Sequence, residues 1–437
     1  MTAERPAGVG HGRSETEDER TARLQALLSV DLAERAEAER RRRADRPGAE
    51  GGVEPARAGR PGRGATLWAL ALVALFATGI GLTYAGTRII RTSTEGEVVS
   101  RVDDPAAPGF EVMVQATPTL AVLHDRAGTL DAITVLTLPD PDRGGGGVVF
   151  VPTRTMGDLP VYGLAALEVA YDFGATPEVQ AEMVGDVLGI GIDEVVVVDA
   201  DRWEGLVRPV APLSVDNPTD VEVDGEVAFA EGAVDLEADE VAEYLEARGD
   251  DESDLARLYR HELVWRSWLD AVAAAGGAGE VPGEVESGLG RFVRHLASGP
   301  VEVVTLPVDR ATGGDDAGEV DYVPDGEAVE ALVARLVPFP RSPRPGVRER
   351  VRLLSGTEDV EAARRLAPEL PPLGLEVVVV GNAATLDHAT TTIAYAAPQH
   401  DDAARKIRDL LGVGEVVPDP RPSDVVDITV TLGADHE

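Results

Sequence analysis

Arginine and acidic side chains supply most of the groups that could do chemistry in this 437-residue sequence. The sequence has no cysteine, which excludes thiolate chemistry and disulfide bonds. The pair His261-Glu262 is not a zinc motif, because Trp265 stands where the second histidine of H-E-x-x-H belongs. The glycine run at residues 144–147 is not a phosphate loop, because no Gly-Lys-Ser/Thr follows it. We expect a mobile turn there instead.

Arg257 and Arg260 lie three residues apart on a predicted helix, so they share one helix face. A guanidinium group binds phosphate oxygens through paired hydrogen bonds, and an arginine pair can therefore bind an anion. The alternative is a solvated face on which these arginines pair with Asp254 and Glu262. The spacing alone leaves both interpretations open.

The elements that must position these side chains alternate between strand-like and helical segments. Trp265 and Trp268 are predicted to anchor the core rather than to stack on sugars. The apolar run at residues 195–198 is typical of a central buried strand. The alternation predicts an α/β fold whose sheet is covered by helices on both faces. The predicted strands are residues 112–122, 132–138, 148–151 and 195–198, and the predicted helices are residues 177–188, 237–248 and 254–275.

Four prolines in residues 338–346 (PFPRSPRPG) predict a stiff linker. The segments that follow read strand, helix, strand, strand, helix, strand, which predicts a separate small α/β domain. His388 and His400 are predicted to be surface loop residues of that domain.

An uncharged stretch at residues 65–85 is long enough, at about 1.5 Å per residue, to cross a hydrocarbon core of about 30 Å. A cleaved signal peptide and a buried soluble helix fit its length and position less well. Arginines precede the stretch and acid follows it, so the positive-inside rule places residues 1–64 in the cytoplasm. We therefore expect a single-pass cell-membrane protein, with a transmembrane helix at 65–87 and a stalk at 88–109 leading to extracytoplasmic domains.

The net charge of −38 is concentrated in the predicted outer part. Such a surface repels phosphate backbones, so nucleic acid is not an expected partner.

Three motifs occur in the order and spacing of the LytR-CpsA-Psr (LCP) family. Residues 188–193 (LGIGID) resemble its L-G-I-P-I-D, and residues 254–261 (DLARLYRH) resemble its D-x-x-R-x-x-R-Q. Between them, residues 236–248 resemble its L-D-G-x-x-A-L-x-Y-x-R-x-R. The resemblance implies an LCP-like α/β/α sandwich at residues 110–340. Residues 351–433 resemble the LytR-type C-terminal domain, which sets the second domain at 347–437.

The resemblance also implies an extracytoplasmic phosphotransferase. Members of the family move a glycopolymer from a polyprenyl pyrophosphate carrier to peptidoglycan, with arginines and a carboxylate-held divalent metal around the pyrophosphate. Matched by position, Asp131 is the implied ligand of Mg²⁺ or Mn²⁺, although it could equally cap or close a turn. The implied catalytic arginines are Arg154, Arg248, Arg257 and Arg260.

Several positions depart from the family pattern. Glu246 replaces the first arginine of Y-x-R-x-R, and Glu168 stands where the family has asparagine. Ala116 and Thr117 are nearest to a missing Gly-x-Asp, and His261 replaces glutamine. Reversing one charge beside a pyrophosphate changes the interaction by several kcal/mol at an effective dielectric near 20. The sequence therefore predicts weakened catalysis, with a non-catalytic glycan-binding or scaffold protein of the cell wall as the alternative.

Overall fold

The structure is a computed structural model, which describes most of the chain from residue 102 onward. The predicted tail at 1–64, the predicted transmembrane helix at 65–87 and the first part of the stalk lie outside these residues. Among the described helices, none has the length and apolarity to cross a membrane. The described residues are 102–140, 142–159, 163–223, 225–248, 252–276, 281–311 and 320–436.

The elements before the linker are given in chain order. The strands are β1 Glu111–Met113, β2 Thr119–Arg126, β3 Thr129–Thr137, β4 Gly146–Val151, β5 Met156–Leu159, β6 Gly163–Ala166, β7 Glu194–Val198, β8 Leu213–Asn217, β9 Val221–Val223, β10 Glu226–Phe229, β11 Gly232–Leu236, β12 Val301–Thr305, β13 Val308–Arg310 and β14 Tyr322–Pro324. The helices are α1 Leu167–Asp172, α2 Pro177–Leu188, α3 Ala200–Val207, α4 Glu240–Glu246, α5 Asp254–Ala274, α6 Gly288–Leu296 and α7 Gly326–Leu336.

A five-stranded mixed sheet in the order β12-β4-β3-β2-β7 forms the centre of this part. Successive residues of β3 point to opposite faces, because side chains alternate along a strand. Leu136 packs on the side of α3, α4, α5 and α6, whereas Ile133 and Val135 pack on the side of α1, α2 and α7. The mixed α/β fold with helices on both faces agrees with the sequence expectation.

Strand β7 lies at an edge of the sheet and not at its centre, so the expectation of a central strand was wrong. Helices α2 and α6 contact β7. These helices give the valines of β7 an apolar environment, although β7 pairs with only one neighbouring strand. An apolar run in the sequence therefore does not distinguish a central strand from a covered edge strand.

Local signals set both ends of α2 and the start of α5. Thr176 caps α2, Pro177 opens it, and Gly189 closes it in the left-handed conformation with φ of 67°. The Ser253 hydroxyl accepts a hydrogen bond from the backbone N–H of Ala256 at 3.2 Å and caps α5. This cap fixes where α5 begins and so directs Arg257 toward the sheet.

Helix α4 is shorter than the predicted helix at 237–248. It ends at Glu246, and Ala247 adopts an extended backbone with φ of −58° and ψ of 133°. Arg248 therefore lies outside the helix, and the helical repeat does not set the direction of its side chain. The two tryptophans expected in the core, Trp265 and Trp268, are both fully buried.

The second sheet has six strands in the order β1, β16 (Leu375–Asn382), β15 (Glu349–Ser355), β19 (Ile428–Leu432), β17 (Thr392–Tyr395) and β18 (Glu415–Pro418). Strand β1, which the expected boundary at residue 110 assigns to the first domain, pairs antiparallel with β16. The predicted strand at 112–122 is thus divided, since β1 joins one sheet and β2 joins the other. The elements after the linker are β15 Glu349–Ser355, α8 Ala362–Leu366, β16 Leu375–Asn382, β17 Thr392–Tyr395, α9 Asp401–Leu411, β18 Glu415–Pro418 and β19 Ile428–Leu432.

The proline-rich linker is held against the first sheet by specific contacts. Asp193 accepts hydrogen bonds from the Thr119 backbone N–H at 3.0 Å and pairs with Arg341 at 2.9 Å. Beyond the linker, Arg348 donates to the carbonyls of Gly189 at 2.8 Å and Pro371 at 3.0 Å. These contacts join the linker and the start of the second sheet to the segment between α2 and β7.

Candidate functional site

Asp131 and Arg257 form a buried ion pair between β3 and α5. The guanidinium donates to the Asp131 carboxylate at 2.8 Å and to its backbone carbonyl at 2.6 Å. It also donates to Asp254 at 2.7 Å. Both side chains of the central pair are only 3% exposed. Two carboxylates therefore neutralise Arg257 within the protein.

Arg248 approaches the same carboxylate from the solvent side. Its guanidinium lies 3.3 Å from the second oxygen of Asp131, and its side chain is 57% exposed. Asp131 is buried and already paired with Arg257. Arg248 therefore brings a second positive charge to this carboxylate, and solvent can reach that charge. Among the four predicted arginines, Arg248 is the most exposed side chain.

Arg260 lies under this pair and faces the end of α4. It donates to the backbone carbonyl of Tyr244 at 2.8 Å, to that of Ala247, and to the Glu252 carboxylate at 2.7 Å. Its side chain is 2% exposed. Arg260 thus holds the segment that follows α4. This segment places Arg248 beside Asp131.

Arg154 follows β4 and belongs to a neighbouring group. Its guanidinium pairs with Glu168 at 3.1 Å and with Asp321 at 2.6 Å. Asp254, which binds Arg257, also acts on Glu168 electrostatically and raises the pKa of that carboxyl group. Asp254 therefore pairs with Arg257 in one group and influences Glu168 in the other.

Two glutamates at positions that depart from the family pattern lie among these arginines. Burial raises the pKa of Glu168, while hydrogen bonding from Thr153 and the charge of Arg154 oppose that rise. Burial also raises the pKa of Glu246, and the charge of Asp131 adds to the effect. Both carboxylates make the local field less positive and weaken its attraction for a phosphate.

A pair of buried histidines lies behind Asp131. Trp203 donates its ring N–H to Nδ1 of His124 at 3.3 Å, so the other ring nitrogen donates to the Thr134 hydroxyl at 3.0 Å. Burial and then the charge of Arg257 lower the pKa of His124 to about 3. His261 meets His124 edge to face at 5.2 Å between ring centroids, and burial lowers its pKa well below the usual value. Both rings are therefore neutral at physiological pH.

The family comparison covers these elements. Residues 131–275 match the LytR_cpsA_psr family, and residues 348–436 match the family described as LytR cell envelope-related transcriptional attenuator (LytR_C). The protein belongs to the LytR-CpsA-Psr family and carries a LytR-type C-terminal domain. The first match begins at Asp131 and includes α5, so it spans the buried pair.

Solved structures of LCP proteins resemble the chain at low identity. B. subtilis TagV is 20% identical, with 51% of this chain and 97% of TagV covered and a TM-score of 0.42. TagT bound to LIIa-WTA is 18% identical, with 54% and 92% covered and a TM-score of 0.41. TagT with bound octaprenyl pyrophosphate lipid is 17% identical, with 54% and 92% covered and a TM-score of 0.39. Among curated proteins no match was found.

The donor set around Asp131 does not fit the divalent metal that the LCP resemblance implies. Both carboxylate oxygens already accept hydrogen bonds from guanidinium groups, those of Arg257 and Arg248. Within the described residues, no group of three or more histidine, aspartate or glutamate side chains could hold a metal ion. Thr117, near the missing Gly-x-Asp, accepts a hydrogen bond from the Phe339 backbone. Mg²⁺ or Mn²⁺ at Asp131 remains a prediction of the family resemblance.

The LCP motifs located the arginines but not the acids that neutralise them. Arg248 and Arg257 meet at Asp131, Arg260 lies beneath them, and Arg154 lies beside them. The alternative of a solvated helix face was wrong for Arg257 and Arg260, which are both 2% exposed, although Arg257 does pair with Asp254 as that alternative predicted. The sequence carries no signal for Asp321 or His124, because each reaches the site from a distant segment without a motif of its own. Glu252 was missed although it lies only eight residues from Arg260, because it stands just outside the D-x-x-R-x-x-R motif.

Proposed function

We propose that this protein is a membrane-anchored, extracytoplasmic LCP protein of cell-envelope assembly. It binds a polyprenyl-pyrophosphate-linked glycopolymer for attachment to peptidoglycan, with weakened catalysis. The observation that carries the proposal is the meeting of Arg248 and Arg257 at Asp131 within the segment that matches the family. The membrane anchor in this proposal is the uncharged stretch at 65–87.

Arg248 is the group that first contacts the pyrophosphate. It combines a full charge with an exposed side chain, whereas Arg257 is enclosed. Guanidinium groups favour phosphate because their paired N–H groups match two phosphate oxygens. In a transfer reaction an acceptor hydroxyl attacks the phosphorus next to the glycan, and polyprenyl phosphate leaves with negative charge. Cations at the site stabilise that charge.

Weakened catalysis follows from the carboxylates around the arginines. Each of the four arginines contacts at least one carboxylate: Glu168 and Asp321 for Arg154, Asp131 for Arg248, Asp131 and Asp254 for Arg257, and Glu252 for Arg260. A charge that is already neutralised contributes less to a transition state. The same observation favours the second candidate function, a glycan-binding or scaffold protein without transferase activity.

Binding of octaprenyl pyrophosphate to the full chain in detergent micelles tests the proposal. We expect Arg248→Ala to weaken binding about tenfold or more, because a charged hydrogen bond to phosphate is lost. Arg335→Ala is the matched control, since Arg335 is also exposed but pairs with Glu302 on another part of the surface. Equal binding by wild type and Arg248→Ala would contradict the assignment of the site.

Activity measurements separate the two candidate functions. Glycan-loaded carrier and peptidoglycan acceptor are incubated with the full chain, and release of polyprenyl phosphate is measured. Slow release that Arg248→Ala abolishes supports the transferase, whereas binding without release supports the binding protein. Release that is unaffected by chelators would agree with the donor set at Asp131.

A further inference from the structure

Arg154 is enclosed by acidic side chains in a fixed geometry. Glu168 contacts one terminal nitrogen of its guanidinium at 3.1 Å, and Asp321 contacts the other at 2.6 Å. The side chains of Arg154 and Glu168 are 24% and 23% exposed. The edge of Arg154 that faces Glu168 is therefore occupied by a carboxylate in the ligand-free protein.

Glu168 is held in place by backbone as well as side-chain contacts. Its second carboxylate oxygen accepts a hydrogen bond from the Thr153 hydroxyl at 2.7 Å. Its backbone N–H donates to the Thr153 carbonyl, and the preceding Leu167 N–H donates to the Thr155 carbonyl, both at 3.0 Å. The start of α1 is thus fastened to the segment that carries Arg154. The carboxylate cannot move away from Arg154 without breaking its hydrogen bond with the Thr153 hydroxyl.

The charges around Glu168 oppose its ionised form. Asp172 on the same helix and Asp254 on α5 both act to raise the pKa of Glu168, in addition to burial. Arg154 and the Thr153 hydroxyl are the groups that favour the ionised form. The Thr153 hydrogen bond and the charge of Arg154 therefore both favour the ionised form of Glu168 against burial.

We propose that Glu168 sets the ligand affinity of the site by competing with the pyrophosphate for Arg154. This inference rests on the proposed function, in which Arg154 contributes to pyrophosphate binding. A phosphate oxygen that approaches Arg154 must displace the Glu168 carboxylate and remain beside its negative charge. A neutral amide at position 168 removes the repulsion and leaves one edge of the guanidinium available. Glu168 accordingly sets the affinity through Arg154.

Glu168→Gln tests this proposal in the full chain in detergent micelles, with octaprenyl pyrophosphate as the probe. The amide keeps the size of the side chain and can still accept the Thr153 hydrogen bond. We expect binding about tenfold tighter than that of wild type, since one negative charge is removed at contact distance. Glu168→Asn, which introduces the family's residue, is expected to act in the same direction. Glu302→Gln, which alters an exposed pair with Arg335, is the matched control.

Two further measurements distinguish competition from a structural effect. In an Arg154→Gln background, Glu168→Gln should give no gain, because the competing partner is absent. Wild-type binding should also tighten as the pH falls, because burial raises the pKa of the Glu168 carboxyl group, which therefore becomes protonated at a higher pH than an ordinary glutamate. Glu168→Gln should reduce that pH dependence.

The outcomes separate this proposal from the proposed function. If wild type binds the lipid and Arg248→Ala weakens binding, but Glu168→Gln changes nothing, the competition is refuted and the function stands. If Glu168→Gln tightens binding equally with and without Arg154, the effect does not pass through Arg154 and the proposal is refuted. Binding by Glu168→Gln but not by wild type supports it. Absence of binding in every variant refutes both.

Discussion

Removal of the Asp131 carboxylate is expected to destabilise the fold strongly. Asp131 and Arg257 are both 3% exposed and lie 2.8 Å apart. Breaking a buried pair by removing one partner costs about 3–5 kcal/mol, because the remaining charge stays buried without compensation. In Asp131→Ala, Arg257 keeps Asp254 and the backbone carbonyl of residue 131. The retained contacts place the expected loss at the lower end, about 3 kcal/mol in the free energy of unfolding.

Urea unfolding of the full chain in detergent micelles measures this loss. Tryptophan fluorescence is a suitable signal, because Trp203, Trp265 and Trp268 are buried in the core that adjoins α5. Glu302→Ala is the control, since it breaks the exposed pair with Arg335 and should cost about 0–1 kcal/mol. The matched comparison removes effects of the detergent and of the denaturant extrapolation.

Two results would refute the reasoning. If Asp131→Ala unfolds within about 0.5 kcal/mol of Glu302→Ala, the pair is not a buried charge pair of the expected strength. If millimolar Mg²⁺ stabilises wild type but not Asp131→Ala, then Asp131 holds a metal ion and the arginine contacts are displaced when it binds. The second result would support the metal site that the family resemblance implies.

Two more perturbations test parts of the structure outside the arginine site. Burial holds the pKa of folded His124 at about 3, below that of the unfolded chain, so acid protonates the unfolded state first. His124 therefore leaves stability unchanged above about pH 6.5 and lowers it by about 1.4 kcal/mol per pH unit below that value, down to its folded pKa. His124→Gln should show a shallower loss than wild type in urea unfolding between pH 7 and 4, and parallel curves would contradict this account. In the second sheet, a Cβ on Gly381 would lie 2.1 Å from the Phe110 carbonyl oxygen. Gly381→Ala should therefore detach β1 and speed proteolysis near residues 102–113, whereas Gly205→Ala, which meets nothing within 4 Å, should not.

Elements defined by local signals could be predicted closely from the sequence. Helix α2 has the predicted bounds at 177–188, because Thr176, Pro177 and Gly189 mark its two ends within the segment itself. Helix α5 likewise begins at the predicted residue, where Ser253 provides the cap. For such elements, neighbouring residues contain the information that fixes the structure.

Features that depend on distant pairing could not be predicted in this way. In the sequence, β1 and β2 look like a single strand. Nothing near β1 in the sequence indicates that its partner is β16, more than 260 residues away. The same limit applies to the site. Arg154 was found from a motif, but Asp321 is 167 residues away and carries no signal of its own. Motifs identify which side chains are present, whereas the tertiary fold determines which of them are neutralised.

The pairing of β1 with β16 makes the C-terminal domain discontinuous along the chain. The polypeptide contributes one strand to that domain, forms the LCP domain, and then returns to complete the sheet. Asn382 extends the attachment by donating to the carbonyls of Pro105 and Ala107. A tension applied at residue 102 would therefore act on the C-terminal sheet before it reached the arginine site. A truncation at residue 347 would likewise leave β1 without a partner.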